Sequence, residues 1–208
     1  MDPTTIEAYN THGEFFTQGY RSSERMSIQR LQEAFQNRSR ILEVGTGSGV
    51  DMARLLKAGF KVTGLEPSEE LIKLAGQHFP DLLGRIQQGS LPLNEKQLKP
   101  WREQFEGILC NAVLMHIPAN FQQQTLHNLH DILLPDGRLL LTVSATRDGL
   151  DEARRDEFGR YYAELPEERV IELCETAGLR LIQTWETDDQ RHIRGLRWST
   201  YLLRRETV

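Results

Sequence analysis

Short apolar runs alternate along this chain with stretches of helical periodicity. RILEV (40–44), KVTGLE (61–66), GRIQQG (84–89), EGILCNAV (106–113) and GRLLLTVS (137–144) have the length and aliphatic content of buried strands, GRIQQG being the weakest. Between them VDMARLLKAG (50–59), SEELIKLAGQHF (68–79) and NFQQQTLHNLHDILL (120–134) repeat apolar residues at helical spacing. Gly59 and Pro135 are expected to end the first and third of these helices, and Ser68 to cap the second. Strands separated by single helices imply right-handed crossovers and a parallel sheet covered on both faces. The rhythm then changes. A helix in PEERVIELCETAG (166–178) leads to LRLIQTWET (179–187) and RWSTYLLRR (197–205), which have no helix between them and should pair as an antiparallel hairpin on the sheet edge. Residues 1–38 read as one or two helices, with ERMSIQRLQEAF (24–35) the clearer amphipathic one. The expected class is α/β: a doubly wound, mostly parallel seven-stranded sheet with an antiparallel C-terminal hairpin and helices on both faces.

Bulk properties narrow this picture. The 208 residues support one full core, and 38% apolar with 26% charged residues is a soluble, globular mixture. No run approaches the roughly 18 apolar residues of a membrane span. MDPTTIEAYN lacks the basic flank and apolar core of a secretory signal, so a cytoplasmic protein is expected. Cys110 and Cys174 have no paired spacing, which predicts buried thiols, no disulfide and no metal site. A net charge of −5 disfavours a nucleic-acid partner. Arg191, His192, Arg194, Arg197, Arg204 and Arg205 crowd the chain's end, where solvated hairpin termini explain them.

The chemistry concentrates in ILEVGTGSGV (41–50). In an open parallel sheet ligands bind beyond the C-terminal ends of the strands, and the first strand-to-helix turn forms the floor. Gly45, Gly47 and Gly49 occupy that turn, where absent side chains let a ligand approach the main chain. Glu66 ends the second strand, where a carboxylate can accept both hydroxyl hydrogens of a ribose. A dinucleotide would want a sixth-position glycine where Val50 stands, and Glu43 beside the turn would repel its pyrophosphate. The same carboxylate would suit a ligand carrying an ammonium and a sulfonium, and S-adenosylmethionine is such a ligand.

LEVGTGSGVDMARLL, VTGLEPSEELIKLA, FEGILCNAVLMHIP and LHDILLPDGRLLLTVS, in that order, resemble the motifs of class I, Rossmann-like S-adenosylmethionine-dependent methyltransferases of the small bacterial type. The resemblance covers nearly the whole chain and implies one domain, with residues 1–38 as a helical lid, 39–144 as cofactor-binding core and 145–208 as the substrate side. It implies that Gly45, Thr46 and Gly47 contact the methionine part, that Glu66 with the adjoining Pro67 holds the ribose, and that Asn111 and Ala112 lie by the amino group or sulfonium. Ser90 and Leu91 would flank adenine, although the family more often has an acidic residue there. In the lid a tyrosine, Tyr9 or Tyr20, could face the sulfonium and Arg21 could pair the ligand carboxylate, the alternative being that these aromatics simply dock the helix.

A sulfonium is already an activated leaving group, so catalysis can rest on holding an acceptor in line with the methyl. A base is needed only for a protonated acceptor. His116, in LMHIP after the fourth strand, is a candidate base or a packing histidine. Tyr161 and Tyr162 are further candidates beside the reacting atoms, with His12, Arg160, Arg197 and Trp198 as candidate substrate contacts. Asn111 is followed by Ala-Val-Leu rather than the Pro-Pro-aromatic turn of amino-methylating DNA enzymes, so a small-molecule acceptor is expected, bound by a monomer or homodimer without membrane association. Two alternatives stay open. The same fold can use S-adenosylmethionine without methyl transfer, for instance by cyclisation that releases methylthioadenosine, or serve as a non-catalytic binding module.

Overall fold

The computed structural model describes residues 1–22, 28–35, 39–188 and 196–206. Arg191, His192 and Arg194 lie outside the described residues, as does the first part of ERMSIQRLQEAF. In chain order the elements are helices α1 (Pro3–Thr11), α2 (Gly13–Ser22) and α3 (Ile28–Ala34), strand β1 (Arg40–Val44), α4 (Val50–Lys57), β2 (Lys61–Glu66), α5 (Glu69–His78), β3 (Ile86–Gln88), the single turn α6 (Glu95–Leu98), β4 (Phe105–Asn111), α7 (Ala119–Ile132), β5 (Leu133–Thr146), α8 (Glu167–Thr176), β6 (Leu179–Asp188) and β7 (Arg197–Arg205). The seven strands form one sheet in the order β3-β2-β1-β4-β5-β7-β6. The first five run parallel, while β7 pairs antiparallel with both β5 and β6.

Alternation along the strands sorts two cores. Leu42, Ile108, Leu139, Leu141, Tyr201 and Leu203 pack under α7 and α8, whereas their neighbours Ile41, Leu109, Leu140 and Leu202 pack under α3 and α4. Near-continuous burial of β1, β4 and β5 is what a strand covered on both faces requires. No helix among the described residues is long and apolar enough to cross a membrane.

Local chemistry explains most element ends. Ser68 accepts from the Leu71 N–H and caps α5, with Glu69 and Glu70 favourably placed in its first turn. Gly59, at φ +91°, lies just past the end of α4. Two expectations need correction. The N-terminal region contains three described helices rather than one or two, because Asp2 caps Pro3–Thr11 and a second helix starts at Gly13. Pro135 does not end α7. That helix stops at Ile132, and Leu133 already pairs with Phe105 of β4 before residues 134–137 leave the ladder and Arg138 rejoins it opposite Gly107.

Candidate active site

The strand order reverses between β1 and β4, and at that switch point the glycine turn follows β1. Gly45, Gly47 and Gly49 have φ of +68°, +57° and +78°, the left-handed region that side chains disfavour. Their reasons for being glycine differ. A Cβ on Gly45 would stand 2.3 Å from Val113 Cγ2 and one on Gly49 2.5 Å from Leu82 Cδ1, so both serve packing. A Cβ on Gly47 would meet nothing nearer than 3.8 Å, with the Tyr20 ring 3.9 Å away. The main chain is therefore bare at Gly47, and Tyr20 of α2 roofs it.

Glu66, 3% exposed at the end of β2, accepts the Gly47 N–H at 2.8 Å and the Ser68 N–H at 2.9 Å, one on each oxygen. A carboxylate oxygen has a second lone pair, so the group can still accept from a diol. Burial pushes the Glu66 carboxyl up to about 7 against the pull of the two N–H donors. Glu43 is buried in mid-sheet on β1, and the Thr46 hydroxyl turns back to its carbonyl at 3.3 Å. Pro67 carries the chain from Glu66 to Ser68, whose hydroxyl donates to Asn10 of α1 at 2.7 Å.

Asn111, at the end of β4, donates to the buried Asp51 at 3.1 Å. Ala112 follows at φ +60°, its N–H held by the Thr142 carbonyl. Leu91 is buried, and Ser90 Oγ accepts from the Met1 amine at 3.1 Å. Arg21 instead reaches His78 at 3.1 Å on an exposed face. His12 is exposed and meets the Phe158 ring edge-on at 5.2 Å. Arg197 and Trp198 stand at the same end of the sheet as the crevice, Arg197 opposite Thr146 and Trp198 opposite Ser144.

The other candidates converge on a buried polar cluster. His116, 3% exposed, has Nδ1 at 2.6 Å from the Tyr161 carbonyl, which can only accept, so Nδ1 carries the proton. Its Nε2 therefore accepts from the Tyr9 hydroxyl at 3.2 Å, and that hydroxyl accepts in turn from Arg160 Nη1 at 3.3 Å and Tyr20 at 3.5 Å. Burial first, and the Arg160 charge second, pull His116 down to about 4, so the ring is neutral near pH 7. Tyr162 lies against His116 with ring centroids 4.7 Å apart. Both nitrogens of His116 are thus engaged in joining α1 to the 145–165 segment. Asp2 with Arg155, at 2.9 and 3.0 Å, and Thr5 Oγ1 with the Tyr161 N–H, at 2.9 Å, close the same seam.

Asp156, only 7% exposed, anchors this cluster. Its Oδ2 receives Arg160 Nε and Nη2 at 2.9 and 2.6 Å and Arg147 Nη2 at 3.1 Å, while Oδ1 takes the N–H groups of Phe158 and Arg160. The Arg160 guanidinium also lies 4.3 Å from the Phe16 ring centre. Neither Asp156 nor Arg147 stands out in the sequence, because both sit in a polar stretch without periodicity. Their position after the fifth strand was the one available signal.

A sign follows for the Glu66 carboxyl. Its folded pKa is above its unfolded 4.5, so its contribution to stability is full below 4.5 and lost as pH rises through about 7. Under the ribose role expected of Glu66 from the sequence, binding would favour the ionised acceptor, so affinity for S-adenosylhomocysteine should rise between about pH 6 and 8 and then level off. Calorimetry across a pH series checks this, and Glu66→Gln should flatten the profile.

Comparison with known proteins identifies the family. Residues 20–208 match a family described as a methyltransferase domain. An uncharacterized methyltransferase of Oceanobacillus iheyensis is 26% identical over 62% of this chain and 62% of its own length. A tRNA U34 carboxymethyltransferase of a Shewanella strain is 31% identical over 73% of this chain and 46% of its own. The chain spans less than two thirds of the length of the first curated relatives it matches. Among solved structures, Burkholderia thailandensis 1,6-didemethyltoxoflavin-N1-methyltransferase, with 1,6-didemethyltoxoflavin and S-adenosylhomocysteine bound, superposes with a TM-score of 0.75 at 21% identity, covering 98% of this chain and 88% of that one.

Proposed function

The chain belongs to the methyltransferase-domain family, and from that premise we propose that it transfers a methyl group from S-adenosylmethionine to a small-molecule acceptor by in-line displacement. The observation that carries the reading is the Glu66 carboxylate, buried beside the uncovered backbone of Gly47 with acceptor capacity to spare. When bound, S-adenosylmethionine supplies a methyl already activated by its sulfonium. Glu66 and Pro67 hold its ribose, Gly45, Thr46 and Gly47 border its methionine part with Asn111 and Ala112, and Ser90 and Leu91 flank its adenine. Tyr20 excludes water from above. The protein's remaining task is orientation of the acceptor, since proximity and alignment can supply a large share of the barrier lowering. His116, neutral and engaged on both nitrogens, holds the lid helices rather than taking a proton in this conformation.

The relative named for tRNA favours a second acceptor class, against which the net charge of −5 stands. Incubation with methyl-labelled cofactor and either a metabolite extract or total tRNA, followed by mass spectrometry of acceptor and spent cofactor, separates the two. Label confined to tRNA overturns the small-molecule reading, and methylthioadenosine as the spent product overturns methyl transfer. Glu66→Ala should weaken S-adenosylhomocysteine binding by about 1.5–3 kcal/mol, the loss of charge-assisted hydrogen bonds. Unchanged affinity by calorimetry would refute the ribose assignment.

A further inference from the structure

Beside the end of β5 lies a cavity of about 230 Å³, lined by Ser144, Arg147, Arg154, Tyr162 and Leu165 among others. Ser144 pairs with Trp198, so the cavity opens at the same end of the sheet as the glycine turn. The Arg147 side chain is only 13% exposed, lies 4.3 Å from the centre of the Tyr162 ring, and reaches Asp156 through Nη2 alone. Its Nε is buried without a hydrogen-bond partner among the described residues. Charge is unbalanced there as well. Among the described residues Asp156 is the one carboxylate shared by two largely buried guanidiniums, those of Arg147 and Arg160, while Arg155 is already matched by Asp2. His116 and Tyr162 are neutral near pH 7. One positive charge in a low-dielectric floor is left for a ligand to meet. The acidic residues of the lining do not cancel it: Asp148 is exposed and Glu164 has a side chain 80% exposed, where water and salt screen them.

We infer that this cavity receives a carboxylate of the acceptor, read by Arg147 while the Tyr162 ring and Leu165 pack its apolar body. The inference rests on the methyltransferase reading and names the substrate class, a small organic acid. Arg147 lines the cavity with a guanidinium that meets Asp156 through one nitrogen, which leaves donors for a planar carboxylate, and an ammonium in its place would face the same charge.

Titration of the protein loaded with S-adenosylhomocysteine against benzoate, benzamide and benzylamine tests it. Benzoate should bind about tenfold tighter than its neutral isostere. Arg147→Met should abolish that preference, Arg147→Lys should keep part of it, and both should leave affinity for S-adenosylhomocysteine within about twofold. Equal binding of benzoate and benzamide by the unaltered protein, tighter binding of benzylamine, or no binding of benzoate at millimolar concentration overturns the inference. So does an Arg147→Met variant that loses S-adenosylhomocysteine but keeps benzoate, which assigns the charge to the cofactor's own carboxylate. Failure of the unaltered protein to bind S-adenosylhomocysteine at all defeats the methyltransferase reading instead.

Discussion

Replacing Asp156 by alanine should lower stability by about 3–5 kcal/mol, the cost of leaving buried charges uncompensated. For a chain of this size that is roughly 6–20 °C in Tm, readable by scanning calorimetry. The expectation follows from Asp156 Oδ2 serving Arg147 and Arg160 together while Oδ1 holds the backbone of residues 158 and 160. Removing Arg160 too, as Asp156→Ala with Arg160→Met, should recover part of the loss because one of the stranded charges goes with it. A single-variant change within about 0.5 kcal/mol, typical of surface positions, would show that the cluster is solvated and not the anchor of the seam.

Gly45→Ala should cost about 2–5 kcal/mol, summing left-handed backbone strain of about 1–2 with overpacking of about 1–3. The backbone share comes from φ +68° and the packing share from the 2.3 Å approach to Val113 Cγ2. Val113→Ala in the same chain should return the packing share alone. Denaturant melts of the single and double variants separate the two parts, and full rescue would mean that the turn itself tolerates a side chain. Gly47→Ala makes an instructive contrast. Nothing crowds its Cβ position, so its stability cost should be the backbone share, with its main effect on cofactor affinity.

Several boundaries read from periodicity coincide with the structure. RILEV, KVTGLE and RWSTYLLRR are β1, β2 and β7 to the residue, because each has a clean apolar run bounded by polar or turn residues. The two C-terminal runs pair antiparallel as expected, and burial decides which of them lies inside. The buried run STYLL takes β7 between β5 and β6, whereas β6 is largely exposed and forms the edge. The start of β5 was missed because Leu133 and Leu134 continue the helical apolar pattern of α7, and the switch to strand is decided by pairing with Phe105. In the site, the glycines and Glu66 were legible because tight turns and strand ends restrict residue type. The seam was not, because the His116–Tyr9–Arg160 chain joins positions 107 and 151 residues apart, a separation that no local pattern encodes.

The antiparallel course of β7 puts its two ends to separate uses. Trp198 lies at the upper rim with Ser144, whereas Arg204 faces Arg138 and Arg205 covers the Leu133 carbonyl and pairs with Glu103 at 2.9 Å below the sheet. Under the proposed function, exchanges at the rim should therefore retune the acceptor while the foot of the same strand keeps its bonds to Leu133 and Glu103, so selection for new chemistry and selection for durability would act on opposite tips of one element.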